Sequence, residues 1–478
     1  MTSNLVIIGA GIGGLCAALF LQRQDRRLTL LERDAAPPSG GADAAFKDWN
    51  RRGVGHLRHS HAFLARLRIL IKDHHPQLLA QLMDAGCREL DFERMLTDLH
   101  RARYQPSPVD ADLVVLTSRR TTLELVIRRY VEALPGVTIR PDCFVAGLEM
   151  TESPGQPVDV TGVRLESGEV ITADLVVDTA GRTTGFIEDL ILAGAAISET
   201  SESAGILYFT RHYRLNDGQS EPPRGTAPAT GDLGYLKFGV FPGDNGCFSI
   251  TLCVPEIEME MRKAIVNPMI FDAVCRQMPG LVPWIDPDRA TPVSKVFGMG
   301  DLHSRWRSLA PGGVAAVTGY VALGDALVRT NPLYGRGCSF AAVSAHLLAG
   351  SLDRARDRAA LISDYQASID REIGPYYQSM LTQDRASIRR ARQTLTPGYR
   401  ASLRSKLLKS FVEDAVGVAV RSDPDLLRAA LRGFHMLEHP SDWLKRPVNL
   451  AKVMGYWARG KVGTRLHTHP RRDLTDPP

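Results

Sequence analysis

The sequence lacks the cysteine spacing that disulfide frameworks and zinc sites need. Its seven cysteines are scattered from Cys16 to Cys338, their number is odd, and no two form a C-x-x-C pair. Such a set is expected of a protein kept in a reducing compartment rather than of one held by disulfides. The histidines also lack the H-E-x-x-H spacing of zinc enzymes, and we predict no metal site.

Long hydrophobic runs are missing as well. No window holds about 18 uninterrupted apolar residues, the length that a membrane-spanning helix requires. The apolar stretch near the start of the sequence is interrupted by glycines and has no basic segment before it, unlike a signal peptide. We therefore expect a cytoplasmic protein.

Neither sign of charge dominates the chain, since 58 Lys and Arg stand against 53 Asp and Glu, but the last fifth differs. Residues 380–478 hold 19 Lys and Arg and 9 Asp and Glu. A basic helical region can contact an anionic membrane surface or an acidic carrier protein, although helices that pack on the rest of a protein have similar solvated faces. We expect packing and no nucleic-acid partner. A peripheral membrane or carrier-protein contact and the capping of an apolar substrate site are the alternatives.

What the sequence does contain first is an apolar strand, a glycine turn and a helix. The stretch LVIIGAGIGG places Gly9, Gly11 and Gly14 in a G-x-G-x-x-G pattern. The first glycine makes the tight turn, the second lets a pyrophosphate approach the backbone, and the third lets helix and strand pack closely. A second strand, RLTLLER, carries Glu32, an acid that can accept hydrogen bonds from an adenosine ribose. The chain is predicted to bind a dinucleotide.

A second glycine-rich stretch, GDALVRTNPLYGRG, spans residues 324–337 and is called the corner below. It is poor in side chains and leads into a helix, whose free N–H groups and dipole could stabilise negative charge on a reduced ring. No second G-x-G-x-x-G stands between a strand and a helix. The dinucleotide is therefore either a permanent redox cofactor that reaches both motifs or the substrate of a simple NAD dehydrogenase, and the corner favours the first.

These motifs resemble those of FAD-dependent monooxygenases of the para-hydroxybenzoate hydroxylase fold, nearest to polyether epoxidases and squalene-epoxidase-like flavoproteins. GAGIGG…LLER, VVDTAGR and LGDALVRTNPLYGRG occur in the family's order, and the resemblance covers about residues 1–385. It implies an α/β fold in which a discontinuous, Rossmann-like FAD-binding domain carries an inserted β-rich substrate domain and a C-terminal helical region. The implied boundaries are 1–197 and 292–380 for the FAD-binding domain, 198–291 for the substrate-binding β-sheet domain, and 381–478 for the C-terminal helical region with its disordered tail.

The resemblance also implies roles for single residues. Asp325 is expected to bind the ribityl hydroxyls of FAD, and Pro332 to line the flavin face where oxygen reacts. Arg119 is preferred to its neighbour Arg120 as the arginine that reaches the flavin, and Asp178 either stands near the cofactor or caps a turn. The expected cofactor-binding residues are Gly9, Gly11, Gly13, Gly14, Glu32, Arg33, Arg119, Asp178, Gly181, Gly324, Asp325, Gly335 and Gly337. The expected catalytic residues are Pro332, Arg119 and the histidines of an H-x-H pattern, His59 and His61, for which a structural role is the alternative.

The activity that the resemblance implies is that of an FAD-dependent monooxygenase, an epoxidase or a hydroxylase. In this family NADPH or NADH reduces non-covalently bound FAD, and a flavin C4a-hydroperoxide formed with O2 oxygenates the substrate, here expected to be mainly apolar and to include alkenes. A reductase of the geranylgeranyl reductase type shares the fold and stays an alternative. A flavin-binding scaffold protein of a biosynthetic complex is another. The W-x-W-x-I stretch of flavin halogenases is absent from the sequence, which disfavours that activity.

Overall fold

A computed structural model describes residues 3–153, 155–223, 227–396, 398–400 and 402–459. The described strands all lie before residue 330. They are β1 (Ser3–Ile8), β2 (Arg26–Leu31), β3 (Ala62–Phe63), β4 (Arg88–Leu90), β5 (Val115–Thr117), β6 (Val137–Arg140), β7 (Val145–Thr151), β8 (Val158–Leu165), β9 (Val170–Thr172), β10 (Leu175–Asp178), β11 (Ser198–Ser203), β12 (Ile206–Leu215), β13 (Thr230–Asp232), β14 (Lys237–Pro242), β15 (Cys247–Pro255), β16 (Ala290–Pro292), β17 (Phe297–Met299), β18 (His303–Ser308), β19 (Val317–Thr318), β20 (Tyr320–Ala322) and β21 (Val328–Arg329).

The helices alternate with strands in the first part of the chain and follow one another after the corner. They are α1 (Ile12–Leu21), α2 (Ala42–Asp48), α3 (Ala65–His74), α4 (Pro76–Asp84), α5 (Asp98–Arg101), α6 (Arg120–Glu132), α7 (Phe186–Leu192), α8 (Met259–Ala264), α9 (Pro268–Arg276), α10 (Gly337–Arg354), α11 (Arg358–Glu372), α12 (Gly374–Leu395), α13 (Leu403–Ser410), α14 (Gly417–Ser422), α15 (Pro424–Phe434), α16 (Asp442–Lys445) and α17 (Pro447–Ala458).

A five-stranded parallel sheet with the order β20-β10-β1-β2-β6 carries the glycine turn at the end of β1. The apolar run Leu5–Ile8 is buried because β1 lies between β2 and β10 and is covered by α1, which packs against α10. Continuous apolar runs of this kind are typical of the strands of buried parallel sheets. Tyr320 of β20 pairs with Val176 of β10, so a late segment completes a sheet begun by the first residues. The predicted α/β fold with a Rossmann-like, discontinuous unit is confirmed.

A second, six-stranded antiparallel sheet has the order β13-β14-β15-β12-β16, and β17 also pairs with β12. The predicted strands near residues 205–254 are present as β12, β14 and β15, and the predicted hairpin turn PGDNG joins the last two. The sheet is larger than predicted. Both β16 and β17 belong to it, so it extends to Met299, past the boundary expected at residue 291, because the segment ATPVSKVFG returns along β12.

A small sheet, β3-β5-β4, fixes two loops that matter for the site. Ala62 in β3 pairs with Thr117 in β5, so the loop that carries the H-x-H pattern lies beside the start of α6. Two further sheets, β11-β18-β21 and β19-β8-β7 with β9, support the corner and the edge of the parallel sheet.

The region after residue 355 is helical in its described part, as predicted. The expected disordered tail, residues 468–478, lies outside the described residues. No described helix has the length and apolar character needed to cross a bilayer.

Candidate functional site

A cavity of about 900 Å³ extends from the glycine turn to the corner. Its walls come from the parallel sheet, the six-stranded sheet, the H-x-H loop and helix α15. Ligand sites of drug-sized molecules occupy about 300–1,000 Å³, so this cavity has room for a large ligand. Within the described residues, no three or more His, Cys, Asp or Glu side chains are grouped so that they could hold a metal ion.

Each of the three glycines in the glycine turn has a different structural role. Gly9 has φ +94°, a left-handed conformation that side chains disfavour. A Cβ on Gly14 would lie 1.9 Å from the carbonyl oxygen of Gly9, so only glycine lets α1 pack this closely. A Cβ on Gly11, by contrast, meets nothing within 4 Å. Since Gly11 lines the cavity and precedes the first residue of α1, the free N–H groups of the helix start are open to an anionic ligand.

Glu32 is buried at the end of β2, and its carboxylate holds the glycine turn. It accepts hydrogen bonds from the backbone N–H of Ala10 at 2.8 Å and of Asp34 at 3.0 Å. Arg51 forms an ion pair with it at 2.5 Å. A carboxylate has about four acceptor positions, so one stays available toward the cavity that Glu32 lines. The ribose contact expected of Glu32 stays a prediction, as does the contact expected of Arg33, which also lines the cavity.

A buried chain of charges runs from Glu32 toward the other end of the cavity. Arg51 bridges Glu32 and Glu124, with its second contact at 2.7 Å. Glu124 in turn binds Nε of Arg120 at 2.6 Å. Arg120 donates to Nε2 of His61 at 3.3 Å. Two acids and two arginines therefore balance one another in the interior, which is the condition under which buried charges are tolerated.

The structure corrects the choice between the two arginines at the start of α6. Arg119 points away from the cavity, where its guanidinium binds Asp244 at 2.6 Å and Asp43 at 2.7 Å. Its backbone N–H also donates to Asp244 at 2.6 Å, so Arg119 fixes the β14–β15 turn rather than the ligand. Arg120 lines the cavity instead. Arg119 is the extended residue before α6 and Arg120 is the first helical residue, so the two side chains leave the backbone in different directions, and the sequence alone did not reveal which of them faces inward.

Asp178 does not line the cavity, although a contact with the cofactor was one of the two roles considered for it. It is fully buried at the end of β10. It accepts hydrogen bonds from Thr184 at 2.6 Å, Tyr320 at 2.7 Å and the N–H of Ala180 at 2.8 Å. Asp178 therefore caps the turn and ties β20 to β10, which was the alternative interpretation. Gly181, three residues later, does line the cavity and has φ +79°.

The histidines of the H-x-H loop line the cavity in their neutral form. Burial lowers the pKa of His59 to about 4, and His59 Nδ1 lies 3.0 Å from Oγ1 of Thr210. His61 Nδ1 lies 2.9 Å from the carbonyl oxygen of His59, which can only accept, so this nitrogen carries the proton. Nε2 of His61 is then the acceptor for Arg120, and burial together with that cation keeps the pKa of His61 well below its usual value.

A row of hydroxyl groups joins this loop to the six-stranded sheet. Thr210 and Thr251 lie 2.7 Å apart, Thr251 lies 2.7 Å from Ser60, and Ser60 lies 2.6 Å from Ser249. These residues were not predicted from the sequence. The available signal was the presence of hydroxyl side chains at inward positions of otherwise apolar strands, where each needs a hydrogen-bonding partner.

The corner contributes backbone groups and the carboxylate of Asp325 to the cavity wall. Gly324 and Gly335 have φ of +63° and +62°, which the tight path requires. Asp325 lines the cavity with no hydrogen bond to its side chain from the described part of the chain, and burial raises its pKa. Gly337 is the first residue of α10, and a Cβ there would meet nothing within 4 Å. Pro332 lines the cavity at the same corner.

The far wall of the cavity comes from the C-terminal region. Leu431, Phe434 and His435, at the end of α15, line it, and no local sequence pattern identifies these three residues. Arg336, 2% exposed, has its guanidinium carbon 5.4–5.7 Å from the rings of Tyr334, Tyr376 and Phe434. Burial lowers the pKa of Arg336 to about 10. This cation–π cluster joins α15 to the residue that precedes α10.

Comparison with known proteins agrees with this geometry. Protein Rv3254 of Mycobacterium tuberculosis (strain ATCC 25618 / H37Rv) is 28% identical over 396 residues, which cover 77% of this chain and 76% of that protein. PqsL, a probable FAD-dependent monooxygenase from Pseudomonas aeruginosa, superposes with a TM-score of 0.56 at 17% identity and covers 82% of this chain and 98% of its own.

Two other solved structures have the same fold. The Diels-Alderase PyrE3 of pyrroindomycin biosynthesis has a TM-score of 0.58 at 14% identity, over 91% of this chain and 81% of its own. A triple mutant of the flavin-dependent brominase Bmp2 has a TM-score of 0.57 at 15% identity, over 86% of this chain and 98% of its own. Residues 4–350, which contain both the glycine turn and the corner, match the sequence model of one family. The chain belongs to the FAD dependent oxidoreductase family.

Proposed function

We propose that this FAD-dependent oxidoreductase is a monooxygenase that transfers one oxygen atom of O2 to a mainly apolar substrate, with NADPH or NADH as the reductant. The observation that carries the proposal is the corner. There the start of α10 and the carboxylate of Asp325, to which no described residue donates a hydrogen bond, face a cavity that continues between the six-stranded sheet and α15.

The residues of the cavity fit FAD at both ends. Gly11 and Gly337 leave open space where a Cβ would lie, and each stands at the start of a helix. These two helix starts suit the pyrophosphate and the edge of the ring that becomes negative on reduction. Asp325 is free to accept hydrogen bonds from the ribityl hydroxyls. Bound FAD supplies the redox chemistry and the reaction with O2, for which amino-acid side chains have no equivalent.

The protein contributes an apolar part of the cavity wall beside the corner. Phe238 and Phe241 from β14, Leu333 from the corner and Leu431 and Phe434 from α15 line it. Such a wall binds an apolar substrate and keeps water from the reacting atoms. This composition supports a hydrocarbon-rich substrate with a double bond or an activated C–H bond.

Charges near the corner support electron transfer to the cofactor. Arg120 is fixed by Glu124 and by neutral His61, and it lowers the pKa of the nearby Asp325 against the effect of burial. A fixed cation at this place stabilises negative charge that develops on the ring. Arg182 and Arg329 also line the cavity, and neither has an ion pair with a described carboxylate. Guanidinium groups bind phosphates well, which supports the approach of a dinucleotide reductant on this side.

The function is tested by following the oxygen atom. The FAD-loaded protein is reduced anaerobically with NADPH or NADH while the flavin absorbance is recorded, and is then mixed with ¹⁸O2 and terminal alkenes. A monooxygenase gives a product that gains one labelled oxygen. A reductase of the geranylgeranyl reductase type gives a product that gains two hydrogens without oxygen, and a scaffold protein binds FAD but consumes no nucleotide; either result contradicts the proposal.

Two variants test the corner with readouts that do not need turnover. Gly337→Val places a side chain in the open space and is expected to lower the flavin reduction potential, because the ring is pushed from the N–H groups of α10. Asp325→Ala is expected to lower FAD retention. Gly455→Val, in α17, is the control, since a Cβ there also meets nothing within 4 Å. Wild-type potential and FAD content in both corner variants would show that the corner is only a turn.

A further inference from the structure

The C-terminal helices carry an apolar surface that no described part of the chain covers. Leu403, Leu407 and Leu408 of α13 are 78%, 61% and 60% exposed, and Val412 in the next turn is 48% exposed. None of the eight residues of α13 is buried. These four side chains are called the α13 patch.

The helical segment that carries the α13 patch is held against the other C-terminal helices by residues outside the patch. Helix α13 continues through a π-helical turn, Phe411–Val416, into α14, so the chain is helical from residue 403 to residue 422. Phe411 packs edge-on against Trp457 at 5.6 Å, and the hydroxyl of Ser410 accepts a hydrogen bond from the Trp457 indole at 3.2 Å. At about 100° per residue, the three leucines lie within about 140° of one another on the outer side.

Cations surround the α13 patch. Arg404 and Lys406 are exposed and have no ion pair with any described carboxylate, and Lys409 comes only within 4.0 Å of Glu413. Glu413 also binds Arg390 at 3.7 Å. Exposed leucines beside lysines and arginines are typical of helices that lie in a membrane interface, whereas the centres of protein–protein interfaces are poor in lysine. The charge pattern therefore favours an anionic lipid surface over a protein partner.

The helix that carries the α13 patch is connected to the part of the cavity wall formed by β13 and β14, which is called the substrate side below. Asp232, which lines the cavity, forms an ion pair with Arg390 of α12 at 3.1 Å. Arg390 also reaches Glu413, in the turn that follows α13. One arginine thus connects the cavity wall to the helix that carries the patch.

We propose that the α13 patch docks the protein on an anionic lipid membrane. Its leucines enter the boundary between headgroups and acyl chains, and Arg404, Lys406 and Lys409 bind lipid phosphates. Docking brings the substrate side of the cavity to a phase in which apolar molecules collect. The inference does not depend on the reaction that the cavity performs, since it rests on the exposure and charge of α13.

The test is co-sedimentation of the full-length, FAD-loaded protein with vesicles of phosphatidylcholine alone or mixed with phosphatidylserine. We expect binding to the mixed vesicles that weakens with added salt, and little binding to phosphatidylcholine. Leu407→Glu is expected to reduce binding about tenfold, and Lys406→Gln about threefold to fivefold. Leu192→Glu is the matched control, because Leu192 of α7 is an 86% exposed leucine outside the patch, and its binding should change by less than about twofold.

Each other outcome overturns the proposal. Absence of binding to anionic vesicles contradicts it, and so does binding of Leu407→Glu equal to that of the wild type. Sedimentation velocity of the lipid-free protein distinguishes another occupant: a dimer that dissociates in Leu407→Glu would assign the patch to a second copy of the chain. An unchanged FAD content and melting temperature of Leu407→Glu establish that the variant is folded.

Discussion

At the glycine turn, one strand, one turn and one helix within the first 21 residues provide the whole phosphate-facing backbone, whereas the corner end draws on the H-x-H loop, α6, β12 and α15. The first end is determined by the shape of the backbone, since a Cβ on Gly14 would collide with Gly9. The second depends on side chains such as Arg120 and His61, which contact each other across 59 residues of sequence, and on Asp325, whose side chain has no hydrogen bond from the described residues. Changes at the first end should therefore act on folding and cofactor retention. Changes at the second should act mainly on the properties of the bound cofactor, with Asp325→Ala also lowering FAD retention.

The largest effect is expected at the glycine turn. Gly14→Ala should lower the free energy of unfolding by about 3 kcal/mol or more, because its Cβ would lie 1.9 Å from the Gly9 carbonyl oxygen. Gly11→Val should leave the stability of the FAD-free protein close to that of the wild type but abolish FAD retention, because its side chain enters open cavity space. Denaturant unfolding and FAD content measure the two effects. Full FAD occupancy in Gly11→Val would contradict the role of the turn.

The buried charge chain gives the next effect. Arg51→Met leaves Glu32 and Glu124 in the interior without their shared cation, and we expect a loss of about 3–5 kcal/mol in the free energy of unfolding. The neighbouring Arg52 is a matched control, since its side chain is 82% exposed and pairs with Asp34 at 3.2 Å. Arg52→Met should cost less than about 1 kcal/mol. Similar losses in the two variants, measured by urea unfolding, would show that the chain of charges does not stabilise the fold.

At the corner end, the correction from Arg119 to Arg120 predicts a difference in redox behaviour. Arg120→Met should lower the flavin reduction potential by about 30–60 mV, about 1.4–2.8 kcal/mol for a two-electron couple, because a fixed cation is removed from the cavity wall. Arg119→Met should leave the potential unchanged while it lowers stability, because Asp244 loses its buried partner. Spectroelectrochemical titration of both variants checks this, and a shift only in Arg119→Met would restore the original prediction.

Over one pH unit, the smallest effect is that of a single buried histidine. Burial lowers the pKa of His59, His212 and His435 to about 4, below the value of about 6.5 in an unfolded chain. Below pH 6.5 the unfolded chain binds protons that the folded chain excludes, so stability present above that pH is lost as the pH falls toward 4. Each histidine contributes about 1.4 kcal/mol per pH unit to this loss. His435→Gln should reduce the slope of the unfolding free energy against pH by about 1.4 kcal/mol per pH unit between pH 4 and 6.5, which urea unfolding at a series of pH values measures.

The difference between the two ends also explains how far the sequence could predict the site. The G-x-G-x-x-G turn and the strands β1, β2, β12, β14 and β15 follow from local patterns, and they were predicted. The inward direction of Arg120, the hydroxyl partners of His59 and the contribution of α15 depend on contacts between residues far apart in sequence. Asp178 shows the same limit, since one of its three partners, Tyr320, is 142 residues away. A single sequence does not specify such pairs.

The position of β20 has a consequence for biosynthesis. β1, β2, β6 and β10 are complete once residue 178 has been made, but β20 is made only at residues 320–322. At about 5–20 residues per second, the ribosome needs about 7–30 s to add the intervening segment. During that time β10 is an edge strand with unpaired backbone groups, which can pair with another nascent chain. A chain truncated before Tyr320 would keep that edge open permanently, so its aggregation would follow from a missing strand rather than from a missing cofactor.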